Sequence, residues 1–148
     1  HATLIGSIAG AIPPVVGYCA CTNRFDGIAC FLFLMMVLWQ MPHFFAIAIF
    51  RANDYGAASI PVLPIIRGVF HTKVQIAAYI LAFMGLTLGM SLLGYTSITF
   101  AIATQLLGGV WLALAVWGFV RKDHISWARS VFRFSLIVIT LINAILPF

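Results

Sequence analysis

The chain has 148 residues, 64% of them hydrophobic and 7% charged, with a net charge of +5. Soluble domains carry about 25% charged residues. This composition therefore excludes a soluble globular domain and indicates an integral membrane protein. The positive charge is thinly spread, with no basic cluster interleaved with aromatics, so it reads as membrane topology and not as nucleic-acid binding.

The chain opens on HATLIGS, without an initiator Met or a charged segment ahead of the apolar run. A signal peptide is not expected, and a piece of a longer protein is. A spanning helix needs about 20 mostly apolar residues. The first such span is expected at Ala2–Ala20. Gly6, Gly10, Pro13 and Gly17 fall on one of its faces, where a neighbouring backbone can approach. Pro13–Pro14 should kink it, because proline removes a backbone donor. The short polar turn CTNRFDG follows. Cys19, Cys21 and Cys30 are odd in number and make no disulfide framework; the C-x-C reads as small apolar filler at a helix end.

The second span is expected at Ile28–Phe50, and a long connection, Arg51–Lys73, follows it. A third span, Val74–Gly94, carries Gly85 and Gly89. The tight turn YTS leads to a fourth, Ile98–Val120, interrupted by Gly108 and Gly109. After the charged RKDHIS comes a fifth, Ile125–Leu146, whose Arg129 and Arg133 can snorkel to the interface. The second and fourth connections, with their flanks, hold Arg51, Arg67, Lys73, Arg121, Lys122, Arg129 and Arg133, against Arg24 alone on the other face. The positive-inside rule puts the richer face in the cytoplasm, or on the equivalent face of an organelle. Five spans then leave Phe148 on the far side.

Gln40, His43, Ile47, Arg51 and Asp54 are spaced by 3, 4, 4 and 3 residues, one face of a continuous helix. Polar groups at membrane depth are costly, about 2.5–3.5 kcal/mol for a charge. Such a stripe should face a cavity or partners. For His43 the plainer alternative is a neutral imidazole hydrogen-bonded to a neighbouring helix. The long connection has acid, amide, phenol and base at its start and Arg67, His71 and Lys73 near its end. Between them lies the apolar IPVLPII, which reads as a lid folded over a pocket mouth. Bases and a carboxylate around a mouth suit a Mg²⁺-bound phosphate.

Three blocks, GSIAGAIPPVVGYCACTNRFDG, LWQMPHFFAIAIFRANDYGAASIPVLPIIRG and WARSVFRFSLIVIT, resemble the heme O synthases, the protoheme farnesyltransferases among the UbiA-type intramembrane prenyltransferases. The likeness runs over essentially the whole chain. It implies an all-α polytopic bundle of nine transmembrane helices around a lipid-open cavity, of which these five would be the last. It also implies transfer of a farnesyl group from farnesyl diphosphate to a vinyl group of heme b, with hydration, giving heme O and diphosphate. By the same likeness, Arg51, Asp54 and Tyr55 match the family's second diphosphate-facing motif, with Mg²⁺ held through the diphosphate at Asp54. Arg67 and Lys73 match basic positions further along the cap. His43, with Gln40 and Trp39, is the candidate contact with heme. Trp39, Phe44 and Tyr55 could wall an allylic cation.

The implied setting is a bacterial inner membrane, or the mitochondrial inner membrane in a eukaryote, with the active face cytoplasmic. Heme A synthase or a terminal oxidase assembly is an implied contact. The family's first Asp-rich motif is absent from these 148 residues, which hold three acids in all. The fragment alone is therefore expected to be inactive. Other readings are another UbiA-type aromatic prenyltransferase, a heme-binding membrane subunit, or a transporter with a helix broken at Pro42.

Overall fold

The computed structural model describes residues 2–145, which form seven helices and, among the described residues, no strand. Five are long and apolar enough to cross a membrane: α1 (Ala2–Thr22), α2 (Gly27–Phe50), α5 (Gly68–Leu92), α6 (Ile98–Trp117) and α7 (His124–Ile145). Two short helices, α3 (Ala52–Ala57) and α4 (Leu63–Ile66), lie between α2 and α5. The all-α reading and the five spans hold, with ends shifted by a few residues; the third span starts six residues early. The expected end of the fifth span at Leu146, and the position of Phe148, lie outside the described residues.

Local chemistry sets the helix ends. The Asp26 carboxylate accepts the amides of Ile28 and Ala29 and so starts α2. The Ser97 hydroxyl accepts the Phe100 amide at the start of α6, and Asp123 takes the Ser126 amide at α7. Gly94, at φ +78°, ends α5 with its amide on the Ser91 carbonyl and that of Tyr95 on Met90. This paired closure needs a residue free to turn left-handed. Pro13, Pro14 and Pro42 lie inside helices that continue through them.

The second helix is the hub. It touches α1, α5 and α7, while α5 meets α6 and α6 meets α7. Helices α2, α5, α6 and α7 thus close a four-membered ring, and α1 leans on the outside of α2. Met35, Phe83, Trp111, Val131 and Val138 fill the ring's interior. Lipid tails are as apolar as leucine, so packing and interhelical hydrogen bonds hold such helices together. Three tryptophans supply those bonds. Trp39 Nε1–H donates to the Ser135 carbonyl at 2.8 Å, Trp111 to Val131 at 3.3 Å and Trp127 to Leu114 at 2.8 Å. Gln105 adds one between α6 and α5, to the Met84 carbonyl at 2.9 Å. Each such bond contributes about 0.6 kcal/mol.

Close approach is confined to a few glycines. A Cβ at Gly10 would overlap the Gln40 amide, one at Gly108 the Met84 side chain, and one at Gly118 the Trp127 ring. Gly6, Gly17, Gly85 and Gly89, expected to serve close packing, have nothing among the described residues within 4 Å of an added Cβ.

Loops two and four sit at one end of the bundle. There Lys73, near the start of α5, meets Gly118 at the end of α6 and His124 at the start of α7. The Asp26 and Tyr95 turns lie at the other end, where Gly27 packs on the Tyr95 ring. The alternating topology that the charge pattern requires is therefore present.

Candidate functional site

The cap begins where α2 stops. Arg51 has φ −108° and ψ 16°, outside the helix, and ends α2 while opening α3. Its guanidinium pairs with the Asp54 carboxylate at 2.9 Å, three residues on. Both side chains are more than 60% exposed, so water screens the pair and both groups are open to a ligand. Tyr55 follows, half-buried. The IPVLPII segment then turns back as α4, which packs on α2, α3 and α5 and buries Pro64. Arg67, exposed, closes α4, and Gly68, at φ +81°, lets the chain turn into α5. Arg51, Asp54 and Tyr55 thus share one short segment, and Arg67 stands at the other end of the same small cap.

Lys73 does not belong to that cap. The connection expected to run to residue 73 ends at Gly68, and Lys73 lies more than a turn inside α5, 4% exposed. Its ammonium donates to the Gly118 carbonyl, lies 3.0 Å from His124 Nδ1 and stands 5.0 Å over the Trp127 ring. The free carbonyls and negative dipole end of α6 attract a cation there. The ammonium lies inside the bundle, apart from the cap that carries Arg51 and Arg67. His71 is exposed and edge-on to Phe70.

About 12 Å below Arg51, at 1.5 Å per residue, lies His43, half-buried in α2. Trp39 stacks on its ring at 5.1 Å and Phe132 of α7 lies at 4.7 Å. Its Nδ1 is 2.7 Å from the Ser135 hydroxyl. The hydrogen bond to a neighbouring helix is therefore real, and among the described residues it uses one ring nitrogen only. Phe44 meets the same imidazole edge-on at 5.7 Å. Trp39 is buried, with its indole N–H spent on α7.

Gln40 departs from the stripe. Its amide lies against Gly10 of α1, whereas His43 faces α7. Gln40 is 5% exposed and its Oε1 has no hydrogen-bond partner among the described residues. The two polar groups expected to look into one space have different neighbours.

Ser135 and Phe132 were missed in the sequence. The available signal was a serine at membrane depth in an otherwise apolar helix. A second feature also escaped: a largely apolar cavity of about 660 Å³ at the opposite end of the bundle from Arg51. Pro14, Tyr18, Met35, Met36, Met90 and Tyr95 are among its walls.

The described residues do not by themselves make a magnesium site. No group of three or more His, Cys, Asp or Glu side chains comes together among them, and Asp54 is already paired with Arg51.

Five long apolar helices, with a cap that carries Arg51, Asp54 and Arg67 and with His43 beneath it, define a polytopic membrane protein. The model of the UbiA prenyltransferase family matches residues 1–137, and the chain belongs to that family. Within it the chain is 49% identical over 146 residues to protoheme IX farnesyltransferase 2 of Pseudomonas putida (strain GB-1), covering 99% of this chain and 50% of that protein. Protoheme IX farnesyltransferase of Pseudomonas savastanoi pv. phaseolicola is also 49% identical, with the same coverage. Protoheme IX farnesyltransferase 2 of Pseudomonas paraeruginosa is 48% identical, with 99% of this chain and 49% of that protein covered. The chain spans about half the length of the curated relatives it matches. The resemblance read from the three sequence blocks is borne out. No solved structure matches.

Proposed function

We propose that this chain forms the half of a protoheme farnesyltransferase that carries one diphosphate-binding cap and one wall of the heme cavity. The observation that supports this most directly is the exposed Arg51–Asp54 pair above His43 on one helix and its extension, in a chain 49% identical to protoheme IX farnesyltransferase 2. The substrates are farnesyl diphosphate and heme b, and the products are heme O and diphosphate.

In the reaction the allylic C–O bond breaks and diphosphate leaves with the electron pair. The charge gathering on its oxygens is met by Arg51 and Arg67, preorganised donors at the membrane edge. Asp54 holds Arg51 in place through the 2.9 Å contact. Tyr55 lies beside them. The π electrons of a heme vinyl group form the new C–C bond to the farnesyl carbon. Water captures the cation left on the vinyl carbon and releases a proton. Trp39 and Phe44 supply a dry aromatic surface near His43, and His43 contacts the heme. One paired carboxylate does not hold Mg²⁺; the remaining acidic ligands are proposed to come from the rest of the longer protein. The cap faces the cytoplasm and the membrane is a bacterial inner membrane. Delivery of product to heme A synthase or to terminal oxidase assembly belongs to the same proposal.

The test is heme O formation by the full-length protein. Arg51→Ala and Arg67→Ala should raise the KM for farnesyl diphosphate, and His43→Ala should weaken heme binding. Unchanged product formation in all three would overturn the proposal. So would heme O formation by the 148-residue chain alone, since it lacks the first acidic motif.

A further inference from the structure

The Ser135 hydroxyl sits between two partners. It is 2.6 Å from the carbonyl of Phe132, one turn back in α7, and 2.7 Å from Nδ1 of His43 in α2. A hydroxyl has one proton to give. A carbonyl oxygen can only accept, so the 2.6 Å contact needs that proton. The hydroxyl must therefore accept from the imidazole, and Nδ1 carries hydrogen. In the neutral ring this leaves the lone pair on Nε2. No hydrogen bond occupies Nε2 among the described residues. Trp39 and Phe132 hold the ring at 5.1 and 4.7 Å, so it cannot readily turn to exchange the two nitrogens.

We infer that Ser135 is a positioning residue that fixes His43 as the Nδ1–H tautomer and so presents Nε2 as the free electron-pair donor toward the heme substrate. This rests on the reading that His43 faces the porphyrin. A metal-binding imidazole commonly has its other nitrogen held by an outer hydrogen bond, which sets both tautomer and ring orientation. Here that partner comes from another helix, 92 residues away in sequence. The same serine anchors Trp39, but through its backbone carbonyl. A side-chain substitution removes the tautomer control and leaves that anchor in place. Threonine fits the local geometry, because Thr87 and Thr104 make the same bond to the carbonyl three residues back, each at 3.0 Å.

The experiment uses the full-length protein with ¹⁵N-labelled histidine, without heme and then with added ferric heme b. In the wild type without heme, the His43 resonances should report protonated Nδ1 and bare Nε2. Ser135→Ala should mix the tautomers and weaken heme binding by about two- to tenfold, with a shifted heme absorption band. Ser135→Thr should restore both. A protonated Nε2 in the wild type would overturn the tautomer assignment, whatever the heme result. Tautomers that mix in Ser135→Ala with unchanged heme affinity and spectrum would overturn the positioning role. An unchanged heme spectrum in His43→Ala would overturn the reading that His43 faces the porphyrin, and would leave the tautomer result standing on its own resonance.

Discussion

Lys73 of α5 donates from its ammonium to the carbonyl of Gly118, where α6 ends. A buried ammonium is tolerated there because three things meet it: the open carbonyl end of α6, the π face of Trp127 and the Nδ1 of His124. The lysine ties the start of α5 to both helices that follow. Lys73→Met should keep the volume but leave the Gly118 carbonyl without this donor. We expect a loss of about 1–3 kcal/mol in stability, read as a lower unfolding temperature in detergent. The KM for farnesyl diphosphate should change far less than in Arg67→Ala. A large rise in KM with unchanged melting would return Lys73 to the cap.

Asp54→Asn separates folding from chemistry in the opposite sense. Its ion pair with Arg51 is exposed at both ends. Exposed pairs contribute about 0–1 kcal/mol, so the melting temperature should barely move. On the proposed reading, heme O formation in the full-length protein should fall by about two- to fivefold, since the Arg51 guanidinium loses an exposed tether worth about 0–1 kcal/mol. Steady-state product assay and thermal melting on the same preparation check both halves.

Gly118→Ala should be the most damaging of the small glycine substitutions. The added methyl would enter the Trp127 ring, and that ring is pinned by its N–H on the Leu114 carbonyl. Overpacking of this kind costs about 1–3 kcal/mol. Gly85→Ala, with nothing within 4 Å, is the control. It should be neutral or stabilising by about 0.5–1 kcal/mol, because glycine inside a helix gives up more conformational freedom than alanine. Paired melting curves distinguish the two.

Asp26 makes the α1–α2 turn sensitive to acid. Desolvation pushes its carboxyl up, but the Tyr18 hydroxyl, the Ala29 and Ile28 amides and Arg24 outweigh it and hold the pKa below the ordinary carboxylate value. A carboxylate depressed on folding stabilises fully above its unfolded pKa, and the contribution is lost as pH falls through the folded one. Amide exchange at Ile28 and Ala29, compared with the chemical exchange rate at each pH, should show protection falling only on the acid side of the carboxylate range. Asp26→Asn should flatten that dependence. A loss of protection near neutral pH would contradict it.

Much of the architecture is carried locally along the chain. Hydrophobic runs of about 20 residues fix five spans, because a bilayer demands that length. Asp26, Ser97 and Gly94 mark helix ends by chemistry that depends only on near neighbours. The lysine and arginine distribution sorts the connections into two faces. Spacing alone was less informative for the glycines. Gly85 and Gly89 have the same small-residue pattern as Gly10, yet no neighbour among the described residues approaches them. Which face of a helix meets a partner depends on where the partner goes.

The same reasoning explains the polar stripe. Helical spacing correctly groups Gln40 and His43 within about one turn of α2, and the sequence by itself determined that both lie at membrane depth. It could not decide that Gln40 would meet Gly10 of α1 while His43 met Ser135 of α7, because those partners are 30 and 92 residues away. Nor could it separate Lys73 from Arg67, two bases six residues apart on what read as a single loop. The start of α5 at Gly68 turned one inward and left the other outward. Span length, depth and charge sidedness are properties of a segment in a bilayer, so they are written in the segment. The tautomer of an imidazole and the burial of an ammonium are set by groups that only the closing of the four-helix ring brings within 3 Å.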